Sequence, residues 1–293
     1  MFTEKERKEQ IIQMVKAKMP DVGVSPVEIC KNNGCCRRGL QIFGKENPKG
    51  VIVYWDSITA SCTVEEAADH ICQVAEEELP VRIDRESILN WEKAKHMVYS
   101  KAVNYERNAD RLCSIVHRRY LDLAEVYYLR IPVNGKEFGT GEVYVRMLEK
   151  WGISEAELSK QAEINMNADG YHMQSMDEYL RSAFSEEGPL LPDFPDSGLY
   201  LIRNRTGEFG AGVMTSRKHM KEFMEQAGED CYILPSSVHE LLALPGSLKS
   251  DMADLHLLVQ GVNQDAVLPE EFLSDNVYFC HMDTGEVELC CDM

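Results

Sequence analysis

The chain has 293 residues, 44% hydrophobic and 27% charged, the composition of a globular protein with room for one large or two modest domains. Its 31 Lys plus Arg against 49 Asp plus Glu give a formal net charge of −18, which argues against general nucleic-acid binding and against docking on an anionic membrane. No apolar run approaches the roughly 18 residues of a bilayer span, and Met1 to Glu6 lacks the apolar core of a signal peptide, so the expected setting is the cytoplasm.

In chain order, Thr3 and Glu6 form a capping box for a first helix, with Ile11, Ile12, Val15 and Met19 as its apolar stripe and Pro20 beyond its end. Three β-like runs follow, Val24 to Cys30, Gly39 to Phe43 and Gly50 to Trp55, separated by turn signals at Asn33-Gly34 and Asn47-Pro48. Thr63 and Glu66 form the box of a second helix, and Asp84 caps a third that carries Ile88 and Trp91. Leu121 to Ile131 is rich in β-formers and reads as a strand ending at Pro132, while Val143 to Met147 fits strand or helix. Ser154 and Glu157 box another helix, with Ile153 and Leu158 as the two ends of a hydrophobic staple.

Prolines 189, 192 and 195 with Gly188 and Gly198 mark 183–198 as a connector between an N-terminal half, 1–182, and a C-terminal half, 199–293. Beyond it, Leu199 to Ile202 and Phe209 to Met214 read as a hairpin around Gly207, followed by a helix from about Ser216 that stops at Gly228. Then come a strand at Cys231 to Leu234, a short helix after Pro235, and a helix bearing Leu255, Leu258, Val259 and Val262. A closing hairpin flanks Asp283-Thr284-Gly285. The fold class this implies is α+β, mixed or antiparallel sheets with flanking helices, in two packed halves.

The ten cysteines stand at 30, 35, 36, 62, 72, 113, 231, 280, 290 and 291. No Cys-x-x-Cys pair occurs, so the expectation is reduced thiols serving mostly as small buried hydrophobes, with no metal and no cofactor. Reactivity of Cys35 and Cys36 depends on thiolate pKa and exposure, which the sequence does not carry.

Ser236, Ser237, His239 and Glu240 lie close together and invite a hydrolase or transferase reading, with a distant carboxylate such as Asp122 as third member. The competing reading makes Ser237 an N-cap and Glu240 its box partner, whose helix start, with Arg203 or Arg205, could serve a sensor of a small anion or a nucleotide. Gly207 to Gly212 has the glycines of a phosphate loop without its lysine and hydroxyl, and reads as a turn. Basic clusters occur at Lys31, Arg37, Arg38, Lys45 and Lys49, and at Arg203, Arg205, Arg217, Lys218 and Lys221. Asp122 and Glu125 read as opposite faces of one strand, and His117 as a loop residue.

Val103-Asn104-Tyr105-Glu106-Arg107-Asn108, His117 through Leu121-Asp122-Leu123-Ala124, Tyr232 through Glu240, and Pro269 through Asp275, with Trp151-Gly152-Ile153-Ser154, together resemble an uncharacterised bacterial family, domain of unknown function 5688. Val116 stands where that pattern has proline. The resemblance implies one family-length protein, brings no established activity or cofactor, and marks Asn108, Asp122, Ser236, Ser237 and His239 as positions to test. The leading expectation is a non-enzymatic binding or regulatory module whose partner is a protein or a small anionic ligand. Whether it is also an enzyme stays open at this level.

Overall fold

Thr3 and Thr63 each accept a hydrogen bond from the amide three residues on, and Glu6 and Glu66 accept in return from the threonine amides. These boxes start α1 (Glu4–Lys18) and, after three strands, α2 (Val64–Glu78). Between them β1 (Val22–Cys30), β2 (Cys36–Gly44) and β3 (Val51–Tyr54) form an antiparallel sheet in chain order. Ile11 and Val15 of α1, Ala68, Ile71 and Ala75 of α2, and Val24, Leu40, Ile42 and Val53 of the sheet share one core. Residues spaced three or four apart on a helix fall on one face, which is why these stripes meet the sheet. The computed structural model describes residues 3–44, 50–58, 61–79, 84–133, 137–184, 198–248 and 251–290. The predicted turn at Asn47-Pro48, Lys45 and Lys49 of the basic cluster, and Cys291 lie outside them.

The chain divides into two compact units, Met1–Asp84 with Pro132–Gly139, and Arg85–Ile131 with Thr140–Met293. The second begins with α3 (Arg85–Leu89) and α4 (Trp91–Ala94), where one helix was expected. Asn90 interrupts it, accepting from the Glu92 amide at 3.0 Å as the cap of α4. Next come β4 (Val98–Asn104), α5 (Ala109–Leu112), β5 (His117–Tyr120), β6 (Leu123–Val133) and β7 (Glu137–Glu142). β6 is flanked by β4 and β5, both antiparallel to it, and also pairs with β7. His117 therefore opens a strand rather than sitting in a loop, and the predicted end at Pro132 is passed by one residue.

α6 (Val145–Trp151) resolves the ambiguous segment as helix, and α7 (Glu155–Asp169) carries the Ser154–Glu157 box, with Ile153 and Leu158 in one core cluster. The remaining elements are β8 (Tyr171–Ser175), α8 (Met176–Phe184), β9 (Tyr200–Asn204), α9 (Arg217–Ala227), β10 (Cys231–Pro235), β11 (Leu241–Pro245), α10 (Met252–Asp265), β12 (Tyr278–Cys280) and β13 (Val287–Leu289). The strands build an antiparallel sheet of order β13-β12-β10-β11-β9-β8. β8 precedes the proline-rich stretch 183–198 and β9 follows it, so both sides of that stretch share a sheet inside the second unit; residues 185–197 lie outside those described. The architecture is α+β with three antiparallel sheets.

Two local expectations are corrected. Phe209 to Met214 is not the partner strand of a hairpin but leads into a 3-10 helix, Gly210–Thr215. Both edges of β9 are already taken by β8 and β11, and Phe209 turns the chain at φ 58°. Gly210 is needed there because a Cβ would stand 2.5 Å from the His239 carbonyl oxygen. Nor does a helix follow Pro235: Leu241 to Pro245 runs back as β11, and 236–240 is the connecting loop. Leu241 and Ala243 of β11 share a core with Ile202, Ile233 and Tyr278, which outweighs a local capping signal. Among the described residues no helix is long and apolar enough to cross a membrane.

Candidate functional site

The β5–β6 register sets Arg118 opposite Glu125, and the β4–β6 register sets Ser100 opposite Tyr127. Cross-strand partners share a face, so these four side chains rise from one side of the sheet. α7 lies over that side and offers Ser159, Glu163 and Met166, spaced four and three apart. The Gly210–Thr215 turn and the first turn of α9 close the third wall with Thr215, Ser216, Arg217, Lys218 and His219. The result is a polar cavity of about 350 Å³.

Glu125 is 7% exposed at its floor. Its Oε2 accepts from Arg118 Nε at 3.0 Å and from the Tyr127 hydroxyl at 3.4 Å, and its Oε1 accepts from the Thr215 hydroxyl at 3.4 Å. Burial, reinforced by the Glu125 charge, pushes Tyr127 up to about 12, so it stays a donor. Ser216 stands at the N-cap of α9, yet its hydroxyl lies 2.9 Å from His219 Nδ1 instead of capping an amide. Ser216 thus places no side-chain cap on the first amides of α9. Burial pulls His219 below its ordinary pKa; Lys218 adds to this, and Glu222 and Glu163 oppose it. The site therefore combines a buried carboxylate, exposed cations and a hydroxyl–imidazole pair.

On the opposite face of β4, Lys101 is 7% exposed, 3.8 Å from Glu142 and 4.5 Å from the centre of the Phe209 ring. Burial lowers its pKa to about 8 despite the neighbouring carboxylate.

The residues singled out from the sequence lie elsewhere. His239 Nδ1 accepts from the Phe209 amide at 3.2 Å, its Nε2 is 3.6 Å from Glu271, and its ring stacks on Phe209. Ser237 meets the main chain of His239, accepting from its amide at 3.0 Å, and Ser236 sits half-buried in the same loop. Asp122 accepts from the Ser274 hydroxyl at 2.7 Å, the Asn276 amide group at 2.9 Å and the Tyr278 hydroxyl at 2.7 Å. Asn108 is buried and donates to the Asn104 carbonyl. Arg203 reaches His172 Nε2 at 3.3 Å and lies over Tyr179, while Arg205 is on an exposed turn. The serine–histidine–Asp122 grouping is therefore not assembled: His239 and Asp122 have separate partners.

Instead the segment 271–278 acts as a seam. Asn104 donates to the Leu273 carbonyl at 3.0 Å, Arg107 stacks on Phe272 at 3.4 Å, Val238 donates to the Glu271 carbonyl, and Ser274 reaches Asp122. The segments around Asn108, Asp122, His239 and Leu273 thus converge in one place. The family model described as "Family of unknown function (DUF5688)" matches residues 4–281. The chain belongs to the DUF5688 family. No curated protein and no solved structure matches this DUF5688 chain.

The cavity is not legible in the sequence. Arg217 and Lys218 were visible as a basic cluster and Ser216 as a helix start. The usable signal was Ser216-x-x-His219 at that start. Glu125 was visible only as half of a carboxylate pair, because its partner Arg118 comes from a strand not recognised in the sequence.

Proposed function

We propose that the second unit is a binding module for a small ligand bearing an anionic group, held in the cavity beside β4, β5 and β6. The observation that carries this reading is the convergence of Arg118, Arg217 and Lys218 with Glu125 and Glu163 around a space of about 350 Å³, within the range of metabolite pockets. The uncapped first turn of α9 adds amide donors and a positive helix end on the same wall. Glu125 and the Ser216 hydroxyl supply the polar groups that would orient the rest of the ligand. A thermal-shift panel of inorganic phosphate, a nucleoside monophosphate and a dicarboxylate tests this. At least one anion should raise the melting temperature, and Lys218→Glu, an exposed change, should weaken that rise. A panel without any response, or a response untouched by Lys218→Glu, would remove the reading.

One contact favours an acyl-transfer or hydrolase reading as an alternative: Ser216 Oγ lies 2.9 Å from His219 Nδ1, within general-base reach. A fluorophosphonate probe should then label Ser216, and His219→Gln should abolish the labelling. Absence of label on folded protein leaves binding alone.

A further inference from the structure

Each unit contains two cysteines facing each other across neighbouring antiparallel strands. In the second unit Cys231 faces Cys280 across β10 and β12; both are fully buried and both are thiols. Burial is the main cause that pushes each of them up to about 12, so neither offers a thiolate near neutral pH. In the first unit Cys30 faces Cys36 on the last rung of β1 and β2; both are exposed, and they are joined as a disulfide. This rung is where the expectation of reduced, buried thiols fails. Thiol–disulfide exchange requires an accessible sulfur and an attacking thiolate, conditions the buried pair cannot meet.

The exposed rung is also poorly placed to serve as a staple. The two strands are already held in register along the eight residue pairs from Val22–Gly44 to Ile29–Arg37, and the core formed by Leu40, Ile42 and Val24 lies further along the ladder. Beside Cys36 is an open groove of about 480 Å³, lined by Glu28, Arg37, Arg38, Trp55 and Asp56. Arg37 grips Asp56 with both Nε and Nη2 and lies 4.1 Å from the centre of the Tyr54 ring, and Arg38 pairs with Glu28 at 2.6 Å. The groove thus presents two guanidinium groups, two carboxylates and an indole next to the sulfur.

We propose that the Cys30–Cys36 rung is a thiol–disulfide exchange site for a low-molecular-weight thiol of the glutathione class, seated in this groove against Cys36. Such a molecule is a peptide-like zwitterion, whose carboxylates would take the place of Asp56 on Arg37 and of Glu28 on Arg38 and whose ammonium would pair with a carboxylate so released. In the oxidising direction the Cys36 thiolate attacks one sulfur of oxidised glutathione. The glutathione S–S bond breaks, one glutathione thiolate leaves, and a mixed disulfide forms on Cys36. The Cys30 thiolate then attacks Cys36 Sγ and expels the second glutathione thiolate. Two protein thiols are oxidised, one small disulfide is reduced to two thiols, and the protein's two protons pass to the departing thiolates. The reverse sequence reduces the rung.

The test equilibrates the full chain in buffers of varied reduced-to-oxidised glutathione ratio, alkylates it in the folded state, and maps the labelled cysteines by mass spectrometry. Residues 30 and 36 should gain and lose label together across the series, whereas Cys231 and Cys280 should take label only after unfolding. Cys30→Ser should trap a glutathione adduct on Cys36, and Cys35→Ser should leave the behaviour of the rung unchanged. The paired change Arg37→Gln and Arg38→Gln should slow exchange with oxidised glutathione several-fold. It should leave exchange with uncharged 2-hydroxyethyl disulfide unaltered, which also reports that the hairpin is still folded. A rung that stays bonded, or stays reduced, in every buffer overturns the proposal. Equal slowing with both disulfides overturns the assigned ligand class.

Discussion

Asp122 and Glu125 are three residues apart in sequence, and both are carboxylates held by several donors, yet their surroundings differ in kind. All three donors on Asp122 come from Ser274, Asn276 and Tyr278, so one side chain fastens the 271–278 seam to the start of β6. Glu125 sits at the floor of a cavity, and its donors Arg118, Tyr127 and Thr215 belong to the elements that wall it. The difference teaches that the origin of the donors, rather than their number, separates the two: those on Asp122 all come from one distant segment at 2.7 to 2.9 Å, whereas those on Glu125 belong to the elements that wall a cavity. A buried carboxylate surrounded by its own donors costs stability when removed, whereas one facing a cavity has partners that water or a ligand can replace.

The strongest way to break this comparison is Asp122→Ala. It strands three donors at the seam and should cost about 3 kcal/mol, read as a lower urea midpoint with an unchanged slope. A loss no larger than that of Glu125→Gln would erase the distinction. Gly210→Ala should come next, at about 2 kcal/mol, because the added methyl meets the His239 carbonyl at 2.5 Å and the Asn204 amide at 2.8 Å. Tyr278→Phe removes one of the three donors on Asp122 and should cost about 1 kcal/mol by the same denaturation measurement. Glu125→Gln should change stability by less than about 1 kcal/mol, since its Arg118 partner is largely exposed, while altering the thermal shift produced by an anionic ligand.

The smallest effect concerns pH. Burial lowers the folded-state pKa of His219, so folding favours the neutral ring. The stability this group contributes is complete above its ordinary value and is lost as pH falls through the lowered folded value. Wild type should therefore lose slightly more stability on acidification than His219→Gln. Parallel acid titrations of the two melting curves would show otherwise if the ring were not buried.

The elements most legible in the sequence were those whose signals are local. Thr3 with Glu6, Thr63 with Glu66 and Ser154 with Glu157 specify helix starts through bonds made within four residues, and all three boxes form. The left-handed stop at Gly228 is equally local. Segments decided by distant partners were not legible. Ser237 and Glu240 match a capping box, but the neighbouring Leu241 to Pro245 gains more by joining β10 and β9 as a strand. Phe209 to Met214 has β-forming residues, yet no free edge of β9 remains for it. The cavity was hidden for the same reason, since Ser100, Arg118, Glu125, Glu163 and His219 come from five separate elements.

What this chain's residues dictated alone was the starts of α1, α2 and α7, the stop of α9 and which stripes are apolar, because capping and periodicity act over one or two turns. Which strands pair, which segment holds each carboxylate and which cysteines meet was settled only when the sheets closed, because those outcomes depend on residues far apart in the chain, as Asp122 and Tyr278 are, separated by 156.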